Sequence, residues 1–209
     1  YNRASESDDP DDGWLEAAAD NLFANLINSP NDIAIELLKK PLHFIGHSRG
    51  AILNKLVANR IGYYFPEIRI DQFTALDPHP YTIPGDPGWS DKSTRRVSSV
   101  DWADNYFRRD IECDLIPTFC DTSYESDMDF DGVYMYGAYN QKLSDLILTL
   151  SGSVFEHSDV HEWYRGTIPN QIPQDINEGW YGDSLPARDQ TGFAYSKIVG
   201  KSRPAQDST

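Results

Sequence analysis

Pro41 to Ile61 reads PLHFIGHSRGAILNKLVANRI, and the architecture of the chain turns on this stretch. Leu42, Phe44 and Ile45 form a short apolar run between Pro41 and Gly46, the pattern of a buried parallel strand. Ala51, Ile52, Leu53, Leu56, Val57 and Ile61 then recur at helical spacing, with Asn54, Lys55, Asn59 and Arg60 on the other side. Between the predicted strand and helix lies Gly46-His47-Ser48-Arg49-Gly50. A strand that passes directly into a helix forces its corner residue into a strained conformation and turns that side chain out over the sheet edge. Glycines two residues to either side give the backbones room to pass. The corner is also a helix N-terminus, where backbone N–H groups, that of Arg49 among them, can stabilise a developing oxyanion. Ser48 is therefore a candidate nucleophile.

Working outward, Trp14 to Ser29 places Leu15, Ala18, Leu22, Phe23, Leu26 and Ile27 along one helix face. Ile68 to Leu76 reads as a second parallel strand that presents Asp77 at its carboxyl edge. The proline- and glycine-rich run from Pro78 to Lys92 reads as loop, and Arg96 to Val100 as a third strand. Val133 to Asn140 suits an edge strand or a pocket-lining loop, and Lys142 to Leu150 fits helix or strand. Val154 to Thr167 begins extended and becomes helical through Val160, Trp163 and Tyr164, while Thr191 to Val199 suggests a late strand or hairpin. Residues 1–13 read as an acidic, exposed lead-in and 201–209 as a flexible tail, around one α/β domain spanning 1–209.

With 33 acidic and 18 basic residues the chain carries a formal net charge of −15, which repels phosphate backbones and excludes nucleic acid as a partner. No stretch reaches the length of a transmembrane span. Cys113 and Cys120, the two cysteines, suit a small disulfide loop in an oxidising compartment, or two free thiols, and lack the further ligands of a zinc site. A disulfide would suggest a secreted or extracellular protein, and the acidity fits a secreted, a salt-adapted or a cation-holding one.

A serine nucleophile needs a base to take its proton and an acid to orient the base. Ser48, Asp77 and the histidines of Glu156-His157-Ser158-Asp159-Val160-His161 follow in the order Ser, Asp, His. Here the sequence resembles the α/β-hydrolase superfamily, and within it the lipases. GHSRG is similar to the lipase GHSxG elbow, FTALDPHP to the strand by which pancreatic-type lipases present their aspartate, and HSDVHEWY to their late histidine with its aromatic pair. The resemblance covers roughly 41–167. It implies Ser48 as nucleophile, Asp77 as orienting acid, His157 as base and the Arg49 N–H as oxyanion donor.

Asp101 and Asp104 are rivals for the acid, since most α/β-hydrolases take it one strand later, and His161 is a rival for the base. His43 reads as a satisfied buried residue and His47 as part of the turn. Arg49 stands where Leu or Met is commoner, which leaves its N–H unaffected. The strands that usually precede the elbow are not legible before Pro41, so a second copy of the chain, an N-terminal segment or the Trp14 to Ile27 helix is expected to cover the sheet edge.

Asp127, Asp129 and Asp131, followed by Gly132, match the start of a calcium loop. The twelfth position is Ala138 rather than Glu, which argues against an EF-hand and for a solvated acidic loop. The expected function is hydrolysis of a small-molecule or lipid carboxylic ester, with no cofactor required. The alternatives are a non-catalytic binding or calcium-holding module, and a triad hydrolase acting on amides, thioesters or peptides.

Overall fold

The computed structural model describes residues 13–28, 36, 38–78, 95–108, 132–143, 157–170, 180–181 and 185–207. In chain order these form helix α1 (Trp14–Ile27), strand β1 (His43–His47), helix α2 (Arg49–Tyr64), strands β2 (Ile70–Leu76), β3 (Val100–Phe107) and β4 (Tyr139–Lys142), and helix α3 (Asp159–Gly166). Two 3-10 turns, Arg188–Gln190 and Gly192–Tyr195, follow. The strands make one parallel sheet in the order β1-β2-β3-β4, flanked by helices. Register pairs His47 with Leu76, Leu76 with Tyr106, and Phe107 with Lys142, so every strand ends on the same edge.

The alternation of side chains along each strand gives the sheet two different faces. One is apolar: Phe44, Phe73, Ala75 and Ala103 pack with Ala51, Val57, Ala58 and Ile61 of α2 and with Ala19 and Phe23 of α1. Burying each of the larger of these contributes roughly 1.5–3 kcal/mol. The other face is polar and aromatic. It carries Gln72, Thr74, Asp104 and Tyr106, and Leu76, Tyr106, Val160, Trp163 and Tyr164 form its own apolar cluster beneath α3. All of β2 is buried, so Gln72 and Thr74 must find partners inside, and they do so on Asp104.

Three expectations are corrected. The third strand begins at Val100 and runs through Asp101 to Phe107 rather than over Arg96 to Val100; Arg95 makes only an isolated bridge to Tyr136. Thr191 to Val199 is not a strand but holds a 3-10 turn, closed by Ala194 N–H donating to Thr191 O and Ser196 N–H to Phe193 O. Residues 201–207 stay largely exposed but are tied to the sheet rather than forming a loose tail, because Arg203 pairs with Asp71 at 2.7 Å and Trp102 Nε1 donates to Pro204 O at 3.2 Å.

Among the described residues β1 is one edge of the sheet and β4 the other. At the β1 edge Ile45 is exposed, and the Asn54 side chain, not α1, donates to the Ile45 carbonyl at 2.9 Å. No helix among the described residues is long and apolar enough to cross a membrane. His79, Cys113, Cys120, Asp127, Asp129, Asp131, the 78–92 loop beyond Pro78, 144–150 and the lead-in before Gly13 lie outside the described residues.

Candidate active site

The carboxyl edge is shaped first by the β1–α2 turn. Ser48 is the N-cap of α2 with φ 55° and ψ −129°, and its side chain makes no capping hydrogen bond. A serine at an N-cap ordinarily adopts extended backbone and caps the helix with its oxygen. The strained conformation instead leaves the hydroxyl out of that role, and the Ala51 N–H donates to Ser48 O at 3.1 Å in the first turn of α2. Gly46 makes the turn sterically feasible: a Cβ there would lie 2.5 Å from Gly50 O and 2.6 Å from Ala51 N. Gly50 is not needed for room, since a Cβ there would meet no described atom within 4 Å. The Ser48 N–H donates to Leu76 O at 2.9 Å, which seats the turn beside the end of β2.

Asp77 follows Leu76 directly. It too has positive φ, 45°, and is fully buried. Backbone strain of this kind costs roughly 1–3 kcal/mol per residue and tends to gather where function demands it. The Asp77 N–H donates to Tyr106 O at 2.7 Å, and its carboxylate is held from several sides. His157 Nδ1 lies 2.6 Å from Oδ2, the Arg108 N–H donates to Oδ1 at 2.9 Å, and Arg108 Nε stands 3.4 Å from Oδ2. Gly132 closes the remaining side, where a Cβ would fall 2.0 Å from Oδ1.

His157 precedes α3 and is partly exposed, its side chain at 27%. With Nδ1–H donating to Asp77, Nε2 carries the lone pair and can act as a base. His47, adjacent to Ser48, donates from Nε2 to His157 O at 2.9 Å, and the two rings lie 4.4 Å apart. Burial holds the His47 imidazole below its ordinary range despite the hydrogen bond to the His157 carbonyl, which favours its charged form. His47 thus ties the serine turn to the histidine.

The other candidates have partners of their own. His161 lies 5.0 Å from the His47 ring and pairs with Glu162 at 3.1 Å. Asp101 faces outward and pairs with Arg69 at 2.8 Å. Asp104 lies mid-strand, fully buried, and accepts from Thr74 Oγ1 at 2.6 Å; burial pushes its carboxyl up to about 7 against the pull of its hydrogen-bond donors. His43 is satisfied by Thr74 Oγ1 at 2.8 Å. Among the described residues no cluster of three or more His, Cys, Asp or Glu is placed to hold a metal ion.

Arg108 and Gly132 were not singled out as part of this edge from sequence. The available signal was the strand end: a β3 read as Val100 to Phe107 puts Arg108 beside the end of β2. Comparison with protein-family models, curated proteins and solved structures returns no match to this chain.

Proposed function

We propose that this chain is a serine hydrolase of the α/β-hydrolase type that cleaves carboxylic esters. The observation that carries the reading is the 2.6 Å hydrogen bond between His157 Nδ1 and Asp77, on the sheet edge where the strained turn holds Ser48. A parallel sheet with a strand-turn-helix corner is the context in which such a serine acts.

In this reading Ser48 Oγ attacks the ester carbonyl carbon while its proton passes to His157 Nε2. The Arg49 N–H, in the first turn of α2, stabilises the oxyanion. Asp77 keeps the ring in the required tautomer and stabilises the imidazolium. The imidazolium gives its proton to the departing alcohol, leaving an acyl group on Ser48. Water then attacks, His157 takes its proton, and the carboxylic acid leaves as the proton returns to Ser48.

The test is hydrolysis of a short activated ester together with labelling by a fluorophosphonate, the adduct being located by mass spectrometry. The adduct is expected on Ser48, and Ser48→Ala should lower turnover by about 10⁴-fold or more with an unchanged circular dichroism spectrum. Labelling of Ser48 without ester turnover would move the substrate to amides, thioesters or peptides. Neither labelling nor turnover would leave a binding module.

A further inference from the structure

We propose that His47 is a positioning residue for His157, a strut that carries the geometry of the serine turn to the main chain and the ring of the base. The inference rests on the assignment of His157 as the base. His47 ends β1, stands next to Ser48 and is in register with Leu76, the residue before Asp77. Its side chain therefore starts from the sheet edge that carries both the nucleophile and the acid. From there Nε2 donates at 2.9 Å to the carbonyl oxygen of His157, 110 positions further along the chain. The two rings lie 4.4 Å apart with their planes 36° from one another. A carbonyl oxygen only accepts, so this bond fixes the neutral His47 tautomer with its proton on Nε2.

The Asp77 hydrogen bond at 2.6 Å holds one atom of the His157 ring, Nδ1. One hydrogen bond leaves a ring free to pivot about it, and a pivot displaces Nε2, the atom that must meet the Ser48 hydroxyl. His157 lies two residues ahead of α3, so the hydrogen-bond ladder of that helix does not set its main chain. His47 acts on both freedoms. Its Nε2–H anchors the main chain of His157, and its ring lies against the imidazole and limits the pivot. The His47 ring also lies 5.0 Å from that of His161, in the first turn of α3, which seats the strut between the base and the helix that follows it. A reacting group misplaced by about 1 Å can cost about 10²-fold in rate, so a contact of this kind bears on turnover without touching the substrate.

The experiment measures kcat and KM for a short activated ester, and the rate of Ser48 labelling by a fluorophosphonate, on the full chain. His47→Phe keeps a ring and loses the donor; it should lower kcat and the labelling rate together by about 10²-fold, with KM within about twofold of wild type. His47→Gln, whose amide N–H reaches about as far as Nε2–H, should recover about tenfold of that loss or more. In an Asp77→Asn background, where the imidazole has already lost its orienting partner, adding His47→Phe should cost about threefold or less. If His47→Phe does not fold, His47→Leu carries the same expectations. Independently of turnover, the His157 Nδ1–H held on Asp77 gives a downfield proton resonance, assigned by its loss in His157→Gln, which should broaden or vanish in His47→Phe as the ring gains freedom and the proton exchanges with water. A merely structural His47 would lower stability while leaving kcat, labelling and that resonance unchanged in the folded protein, and this overturns the proposal. So would a Gln variant as impaired as Phe, or a His47→Phe loss that persists in full beside Asp77→Asn. Failure of the hydrolase reading is separate: a wild-type chain that neither turns over ester nor labels at Ser48 would remove that reading, and the resonance would still report whether His47 holds His157 on Asp77.

Discussion

Thr74 Oγ1 lies 2.8 Å from His43 Nε2 and donates to Asp104 Oδ1 at 2.6 Å, so one hydroxyl joins a half-buried base to a buried acid. Burial lowers the His43 pKa from 6.5 to about 4, with Arg203 lowering it further and Asp71 opposing. The unfolded chain protonates His43 near its ordinary value while the folded chain resists. Stability from neutral His43 is thus present above pH 6.5 and lost as pH falls toward 4. Asp104 has the opposite sign. Its pKa rises from 3.8 to about 7, so the folded state holds a proton the unfolded chain has released, and stability falls as pH rises from 3.8 to 7. At about 1.4 kcal/mol per tenfold change in proton affinity, each effect is roughly 3–4 kcal/mol, and over the shared window they cancel. Asp104→Asn removes one slope and leaves the other. Urea unfolding between pH 4 and 8 should therefore be nearly flat for wild type across pH 4–6.5 and fall steeply with acid for the variant; two parallel profiles would sink this coupling.

Among the elements, the β1–α2 turn was the most legible, because an apolar run, a glycine-flanked corner and a helical periodicity agree with one another. The structure separates the two glycines. At Gly46 a methyl group would meet the backbone of α2 itself, which cannot step aside as a side chain can. Gly46→Ala should cost about 3 kcal/mol or more in urea unfolding. Gly50→Ala, open on that side and within α2, should be neutral or gain up to about 1 kcal/mol from helix propensity. Equal losses in the two variants would mean that close approach is not what Gly46 provides. Strand β3 was harder to read because Asp104 and Asn105 look like surface residues in sequence. Thr74 and Gln72 make the first compatible with burial, and Asn140 and the Val133 carbonyl the second, and those partners appear only once the strands are in register. The same register brings Arg108, the residue after β3, to Asp77, a neighbour that spacing along the chain does not show. In Thr191 to Val199 aromatic content suggested a strand, but local turn hydrogen bonds prevail there.

At the scale of the whole molecule, residues 201–207 fasten onto strands far earlier in the chain, from Asp71 in β2 to Asn140 in β4. Arg203 donates from Nη2 to Asp71 Oδ2 at 2.7 Å and from Nε to Tyr195 O at 3.0 Å, and its guanidinium lies 5.1 Å from the Trp102 ring. Gln206 Nε2 donates to Gly137 O at 2.7 Å, and Asp207 Oδ2 accepts from Asn140 and Tyr134. Asp71 also pairs with Lys197 at 2.7 Å, but the two cations differ in setting: the Lys197 side chain is 59% exposed and that of Arg203 22%. Burial alone would raise the Asp71 pKa, yet Arg203 and then Lys197 outweigh it and hold the carboxyl below its ordinary value. The pairing therefore contributes stability above pH 3.8 that is lost as pH falls through the lower, folded value. Removing the enclosed partner leaves the carboxylate with the exposed lysine alone and gives up the stacking on Trp102, whereas removing the exposed one gives up a screened contact. Arg203→Leu should cost about 3 kcal/mol in urea unfolding at pH 7, and Lys197→Ala under about 1 kcal/mol. Because the contacts of 201–207 span the sheet from β2 to β4, Arg203→Leu should shift the whole transition without splitting it. Added salt should shrink the lysine effect and leave most of the arginine effect. The reverse ranking, or a variant that unfolds in two steps, would show that the C-terminal residues lie against the sheet without holding it.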